Sequence, residues 1–388
     1  MQAKSFCKTL FLALTLQAVT AKGQSLENTD ISHWYDDTFE ADFVLQPIVS
    51  GNRVSVFYQF TANRKEYPTQ AYSITWESRA DFKDRNIGVF EGQDSVMQQS
   101  PEKLAGVLRF PTRSSIWYLV AKIKNTLSER IFYYYTIIDA QWPPNQFKLT
   151  GKTIDTRTFL PLGTELKFNS SKKLYGFFYQ NKFGAALPPF AEAEQQNPFL
   201  IADSSFAFQG SLKPTVAGLY VVQEDTATAK GITFLVADAS YPKYSQVAQL
   251  AAPLIYITTD DEYIRLVAAK TDKPAFDKVI LDITNDRERA KSLMRSYFQR
   301  IESANRYFTD YKEGWKTDRG MLYTIYGKPD EVSRTATTEV WYYQARKTRF
   351  AFRKSGSIFN PENYKLERDN KYMVDWFSMI DLWRKSRF

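Results

Sequence analysis

The sequence predicts a multidomain, mainly β chain that ends in an α+β module. From about residue 42 to 240, short segments rich in β-branched and aromatic residues alternate with turn residues. From about residue 241, apolar residues recur in the steps of three and four that are typical of helices. The 388 residues exceed the length of one ordinary domain, roughly 100–200 residues. We therefore expect two β-sandwich domains, a helical connector, and a small module of helices on an antiparallel sheet.

Residues 1–23 have the pattern of a signal peptide. Lysines precede an apolar run at 10–19, which is shorter than the ~20 residues that span a bilayer. Small residues at 21 and 23 form a cleavage site, so that Gln24 would begin the mature chain. A helix belonging to the fold is the alternative interpretation. Export predicts a periplasmic or secreted protein.

The single cysteine, Cys7, lies before the apolar run and not at the cleavage site, which argues against a lipoprotein. The mature chain would then have no cysteine and one histidine, His33, so we expect no disulfide and no metal site built on cysteine or histidine. His33 has no partner for a catalytic triad, and we expect it at the surface. No later segment is apolar over ~20 residues, so we expect no transmembrane span.

The first predicted sandwich covers residues 24–142. Six segments read as strands and a seventh is expected near 107–110, a count typical of a β-sandwich. The six segments are 43–45, 54–60, 72–76, 87–90, 116–121 and 131–137, and the residues at 91–93 read as a turn.

The second predicted sandwich covers residues 143–240. Its clearest strands are 166–168, 175–179, 205–208, 218–222 and 231–236. The pair Pro143-Pro144 is a plausible linker between the sandwiches, and the polar stretch 183–204 is expected to be a long loop.

Residues 241–388 are predicted to contain the helical connector and the α+β module. Thr259 and Glu262 form a capping box, which favours a helix start over a metal site for the acidic run 260–262. A longer helix is expected from Asn285, with an apolar stripe at 290, 294, 297, 301, 304, 308 and 311. We expect this stripe to pack within its own domain; a coiled-coil contact with a partner is the alternative.

The segment 314–332 reads GWKTDRGMLYTIYGKPDEV and is followed by EVWYY at 339–343. This region closely resembles the GWxTD domain family of exported bacterial proteins, over roughly 245–388. The resemblance implies no established reaction. One departure is visible: Arg353-Lys354 stands where the resemblance implies an acidic residue, so a site that depends on that carboxylate is in doubt.

The motif supplies candidate binding residues, for which we expect a chiefly structural role and partner binding second. Gly314 could end the long helix, Thr317 or Asp318 could cap a short helix, and Gly327 could end that helix before Pro329. A strand over 321–326 is the alternative. The candidates are Trp315, Thr317, Asp318, Arg319, Gly320, Tyr323, Gly327, Pro329, Trp341 and Tyr343. An Asp318–Arg319 contact is expected to be a cap and local ion pair, because a carboxylate beside a guanidinium is a poor general acid.

The last segment, 372–387, has apolar residues at helical spacing and a basic end. We expect it to dock on the C-terminal sheet; binding to a partner or a membrane surface is the alternative. Residues 285–388 contain 22 Lys and Arg against 14 Asp and Glu. This excess could favour an anionic surface. Export argues against nucleic acid.

These observations favour a non-enzymatic binding or assembly protein of the cell envelope with a protein partner and no cofactor. The alternative is a hydrolase or transferase that acts on envelope glycans through carboxylates. No carboxylate pair is marked by the sequence, and the catalytic and metal sites are therefore left unassigned.

Overall fold

The computed structural model describes residues 21–140, 148–149, 158–168, 170–180, 182–192, 201–356 and 362–387. The strands within these ranges are β1 Ala21–Lys22, β2 Ala41–Ser50, β3 Arg53–Ala62, β4 Tyr72–Arg79, β5 Asn86–Val89, β6 Gln93–Gln99, β7 Lys103–Pro111, β8 Trp117–Asn125, β9 Ile131–Ile138, β10 Lys148–Leu149, β11 Phe159–Pro161, β12 Leu166–Phe168, β13 Leu174–Tyr179, β14 Ser204–Phe208, β15 Ser211–Leu212, β16 Gly218–Gln223, β17 Ile232–Ala237, β18 Glu331–Arg334, β19 Thr338–Tyr343, β20 Thr348–Lys354 and β21 Tyr364–Leu366. The α-helices are α1 Val247–Leu250, α2 Asp260–Ala269, α3 Lys273–Thr284, α4 Arg287–Phe308, α5 Asp318–Tyr326 and α6 Met373–Arg384.

The first sandwich pairs a sheet of order β2-β3-β7-β6 with a sheet of order β1-β5-β4-β8-β9. Alternate residues of β3 are buried, as expected for a strand with one face on a core. Their side chains meet those of β8 in one hydrophobic core, which includes Val56, Phe60, Leu119 and Ile123. The predicted β-sandwich is confirmed.

One strand of this sandwich, β6, was missed by the sequence analysis, which placed a turn at its start. It pairs with β7 at the edge of its sheet, and its side chains are exposed at almost every position. Because neither face of β6 is buried, its sequence lacks the apolar alternation that predicts a strand.

The second sandwich pairs a sheet of order β11-β17-β16-β13-β14 with the small sheet β10-β12-β15. Its core includes Leu166, Phe168, Val222 and Phe234. All its strand pairs are antiparallel except β11 with β17. The predicted linker at Pro143-Pro144 lies outside the described residues.

Residues 182–192, which we call the strap, belong to the stretch predicted as a long loop. The strap has no regular secondary structure, yet it lies against the C-terminal module. Ala186 N–H donates to the Lys316 carbonyl at 2.9 Å, and Asp369 N–H donates to the Pro189 carbonyl at 3.0 Å. Two backbone hydrogen bonds therefore hold the strap against the C-terminal module, one at Ala186 and one at Pro189. Residues 193–200 lie outside the described residues.

The C-terminal module consists of the antiparallel sheet β18-β19-β20-β21 with helices packed on it. Its longest helix, α4, begins after the cap Asp286, whose carboxylate accepts the Arg289 N–H at 2.8 Å. Asn285 instead ends α3 in a left-handed conformation with φ 53°. The stripe residues Tyr297, Ile301 and Phe308 are buried in the core of the module. The stripe thus packs within its own domain, as expected.

Two more of the helices predicted for this region, α2 and α6, are also present. Thr259 and Glu262 form the predicted capping box of α2. In α6, Trp376 and Trp383 are buried, and the Trp383 indole N–H donates to the Ile325 carbonyl of α5 at 3.0 Å. Helix α6 therefore packs on α5, and it also contacts the C-terminal sheet, where Asp375 accepts a hydrogen bond from Thr348 of β20 at 3.3 Å. Its basic end is used internally, because Arg384 forms a bidentate pair with Glu262 at 2.7 and 2.8 Å.

The segment 24–40 was expected to belong to the first sandwich, but it joins that sandwich to the C-terminal module. Ile31 N–H donates to the Val332 carbonyl at 3.0 Å, and Val332 N–H donates to Asp30 Oδ1 at 2.9 Å. Tyr35 is buried in the core that also contains α4, α5 and β19. The core of the C-terminal module is thereby continuous with side chains of the first sandwich, including Val120 and Tyr135.

His33, which was expected at the surface, is half-buried. Its ring packs against Phe39, Phe132 and Tyr134, with ring centroids 5.0–5.6 Å apart. Burial lowers the pKa of His33 to about 4. The lone histidine is therefore a neutral packing residue at physiological pH.

The predicted signal peptide falls largely on residues 1–20, which lie outside the described residues. Within the part of the chain that the structure describes, no helix combines the length and apolar character needed to cross a bilayer.

Candidate functional site

The segment at 314–326 forms a tight turn that leads into α5. Residues Gly314–Lys316 make one turn of 3₁₀ helix, and Thr317 then caps α5. The Thr317 hydroxyl accepts the Gly320 N–H at 3.0 Å and donates to the Gly314 carbonyl at 2.8 Å. The helix predicted for 318–326 is thus present, and the alternative strand is wrong.

Two glycines of this turn are required by close approach of the backbone. A Cβ atom on Gly314 would collide with the Ala304 carbonyl of α4, and one on Gly320 would collide with the Gly314 carbonyl. Gly314 does not end α4, which stops at Phe308. Gly327, with φ 84°, ends α5 as predicted, and Pro329 follows it as a buried residue.

Trp315 is a core aromatic residue, as expected, with 3% of its surface exposed. Its indole N–H donates to the Tyr244 hydroxyl at 2.9 Å, and its backbone N–H donates to Asn305 Oδ1 at 3.2 Å. Trp315 therefore connects the turn to α4 and to the segment that leaves the second sandwich.

Asp318 and Arg319 do not form the expected local pair. Asp318 Oδ1 accepts a hydrogen bond from Arg368 at 2.6 Å, and its Oδ2 accepts the Leu366 N–H of β21 at 2.8 Å. Arg319 instead lies 3.6 Å from the Glu339 carboxylate of β19. The two neighbours thus have different ionic partners, and the Thr317 hydroxyl supplies the cap of α5.

The remaining candidates are also held within the module. Trp341 is fully buried, and its indole N–H donates to Glu339 at 2.7 Å. Tyr323 donates to the Tyr35 carbonyl at 3.0 Å, and Tyr343 donates to the Gly327 carbonyl at 2.8 Å. The structure therefore gathers all the candidate residues around α5 and the sheet beneath it.

Sequence reasoning missed the charged group at the centre of this region. We call Tyr35, Arg319, Arg334 and Glu339 the Glu339 cluster. Arg334 Nε donates to Glu339 at 2.7 Å, and Arg334 also bonds the Tyr35 hydroxyl at 2.9 Å. Although burial disfavours its charge, the Arg334 and Arg319 guanidiniums hold the pKa of Glu339 below its ordinary value. The sequence does contain a signal for this cluster, because Glu339 alternates with Trp341 and Tyr343 and so lies on the same buried face of β19.

A cleft of about 230 Å³ opens beside Asp318, and we call it the motif cleft. The strap forms one wall, and Thr317, Asp318, Tyr364 and Arg368 form part of the other. Lys312 also lines it and donates to the Gly184 carbonyl of the strap at 3.1 Å. Burial lowers the pKa of Lys312. Lys312 and Arg368 are further functional candidates that the sequence did not single out.

The chemistry of the described residues offers no metal centre, because no group of three or more His, Cys, Asp or Glu side chains is gathered within them. The acidic run at 260–262 serves as a helix start, as expected. At the position where the resemblance implies an acidic residue, Arg353 instead pairs with exposed Glu367 at 2.8 Å.

A comparison with protein families identifies this region. The sequence model of the GWxTD domain matches residues 218–385. The chain contains a GWxTD domain. The match begins at β16 and so includes the last hairpin of the second sandwich as well as the C-terminal module. A search of curated proteins found no match to the chain.

A second cleft shows that the first and later parts of the GWxTD match lie next to each other in the structure. This cleft, of about 220 Å³, lies between β16–β17 and the motif turn, and it is lined by Tyr241, Tyr244, Trp315 and Lys316. The β16–β17 hairpin and the turn at 314–316 therefore line the same cleft, although they are almost 80 residues apart in sequence.

Proposed function

We propose that the protein is an exported, non-enzymatic binding or assembly protein of the cell envelope, and that its motif cleft receives an acidic group of a protein partner. The observation that carries this proposal is the wall of the cleft. Two cations, Lys312 and Arg368, lie beside Asp318 where three separate chain segments meet. Cations on a concave surface favour an acidic partner and accelerate its approach.

The arrangement of Asp318 supports binding over catalysis. Both carboxylate oxygens of Asp318 are already engaged, one by the Arg368 guanidinium and one by the Leu366 N–H. These contacts suit Asp318 to orient Arg368 within the wall of the cleft. Lys312 differs, since its described hydrogen bond is to a backbone carbonyl. An incoming carboxylate would gain a charge-assisted hydrogen bond there.

The test is site-specific photo-crosslinking in envelope fractions of the native host. A photo-crosslinking amino acid replaces Asn363, which lines the motif cleft, and a matched chain carries it at exposed Gln93 in β6. We expect one discrete protein adduct from position 363, weakened by Lys312→Gln, and none from position 93. Equal adducts from both positions, or an adduct unaffected by Lys312→Gln, would contradict the proposal.

An activity assay distinguishes the binding proposal from the alternative, a hydrolase or transferase that acts on glycans. Purified protein is incubated with a panel of envelope glycans, and products are followed by mass spectrometry. Turnover that is lost in Asp318→Asn would establish the enzymatic alternative and overturn the binding proposal.

Export is part of the proposal and has its own measurement. Cleavage after residue 23 would give a mature chain that begins at Gln24. N-terminal sequencing of the protein from the periplasmic or secreted fraction should find this residue. A chain retained inside the cell with Met1 intact would contradict it.

A further inference from the structure

The Glu339 cluster carries an unbalanced charge. Arg319 and Arg334 are two guanidiniums with 14% and 12% of their side chains exposed, and Glu339 is one carboxylate with none. No other carboxylate of the described residues lies within ion-pair distance of either arginine. A buried charge without a counter-charge is costly, so a net positive cluster is a site where an anion would be stabilised.

A cavity of about 140 Å³ adjoins this cluster, between the first sandwich and the C-terminal sheet. Arg334 forms part of its wall, together with the aromatic residues Phe82, Tyr118, Tyr135 and Tyr364. The Arg334 guanidinium lies 5.4 Å from the centre of the Tyr364 ring. The wall thus offers flat apolar surface next to a cation.

The wall of the cavity also contains a donor that lacks a partner. The Tyr135 hydroxyl is buried and has no hydrogen-bond partner among the described atoms. Burial raises the pKa of Tyr135, so that it keeps its proton at physiological pH. Buried polar groups are nearly always hydrogen-bonded, which makes an unpartnered hydroxyl an indication of a missing acceptor.

The other charged residues of the wall do not cancel the excess. Lys354 and Glu362 also line the cavity, and they pair with each other. Their charges offset, so the unbalanced charge of the Glu339 cluster remains. Arg334 is therefore the charged group of the wall that keeps an excess positive charge.

We propose that this cavity binds a small organic anion, namely a carboxylate on a flat apolar body no larger than one aromatic ring. The carboxylate would lie towards Arg334 and Tyr135, and the apolar body would lie against the aromatic walls. The size limit follows from the volume, because an engineered cavity of about 150 Å³ accommodates benzene. Since its walls come from two domains, the ligand would also strengthen their contact.

The test uses the full purified chain and benzoate as the probe. Benzamide, which has nearly the same shape and no charge, is the matched control. Isothermal titration and thermal melts at constant ionic strength should show saturable binding and a rise in Tm with benzoate, and much weaker effects with benzamide. Equal responses to the two compounds, or no saturable response to benzoate, would overturn the proposal.

A pair of variants locates the binding. Tyr135→Phe removes the hydroxyl in the cavity wall and keeps the ring, whereas Tyr72→Phe removes a buried hydroxyl of the first sandwich outside the cavity. We expect Tyr135→Phe to melt near the wild-type temperature without ligand but to bind benzoate roughly fivefold more weakly, the loss typical of one hydrogen bond. Tyr72→Phe should bind like wild type. If the two variants bind benzoate equally, the proposed cavity is not the site.

Discussion

Replacing Glu339 by glutamine tests whether the Glu339 cluster holds the GWxTD domain to the N-terminal segment. Glutamine keeps the size of the side chain but removes its charge. Arg334, Arg319, Trp341 and the Tyr35 hydroxyl all contact the Glu339 carboxylate, which is fully buried. The change leaves two buried guanidiniums with no carboxylate within ion-pair distance among the described residues.

The magnitude follows from breaking a buried ion pair. Removing one partner of such a pair costs about 3–5 kcal/mol, because the remaining charge is left uncompensated. The GWxTD match covers residues 218–385. For a domain of that size, each kcal/mol lowers Tm by roughly 2–4 °C. The Glu339→Gln chain should therefore melt roughly 6–20 °C below wild type.

The pH dependence separates charge from packing. The pKa of Glu339 is lower in the folded chain than the ordinary value near 4.3, because of the two guanidiniums. Its stabilisation is therefore complete above about pH 4.3 and is lost as the pH falls through the folded pKa. The difference between wild type and Glu339→Gln should be largest at neutral pH and should shrink below about pH 4.

Calorimetry of the full chain measures both effects, with Glu331→Gln as the control. Glu331 lies on neighbouring β18 and is exposed, so its substitution should change stability by less than about 0.5 kcal/mol. If Glu339→Gln and Glu331→Gln melt alike, or if the Glu339 difference does not change with pH, the cluster does not stabilise the fold in the way that we infer.

The structure also predicts the effects of two other substitutions and the titration of one side chain. Trp315→Ala should destabilise the chain by about 3–5 kcal/mol in urea unfolding, because it removes a buried indole and its bond to Tyr244; a loss below 1 kcal/mol would mean that the ring is not part of the core. Asp318→Ala should lower the free energy of unfolding by about 2–4 kcal/mol, more than the loss of a helix cap, because it leaves Arg368 and the Leu366 N–H without their acceptor. Asp318→Asn keeps an acceptor for the Leu366 N–H and should recover part of this stability. An NMR titration of His33 should give a pKa of about 4. The stability of the fold should therefore decrease as the pH drops from about 6.5 towards 4, because the unfolded chain binds the proton more tightly. A pKa near 6.5 would show that the ring is solvated.

The sequence determined those features that depend on neighbours within a few residues. The alternation in β3, the capping box at Thr259 and Glu262, and the glycine that ends α5 all follow from local geometry, and all are present. Strand β6 shows the limit of this reasoning, since an exposed edge strand has no buried face to impose a pattern. The GWxTD motif was likewise readable, because its residues are consecutive.

Tertiary structure alone decided which side chains meet. Tyr35 contacts Glu339 across 304 residues, and Asp318 pairs with Arg368 across 50 and not with adjacent Arg319. Neighbouring residues on α5 point in different directions, so adjacency in sequence did not imply contact. The positions of Lys312 and of the strap depend on how the second sandwich packs on the C-terminal module. No short-range pattern encodes that packing, because it arises from surfaces that the folded chain brings together.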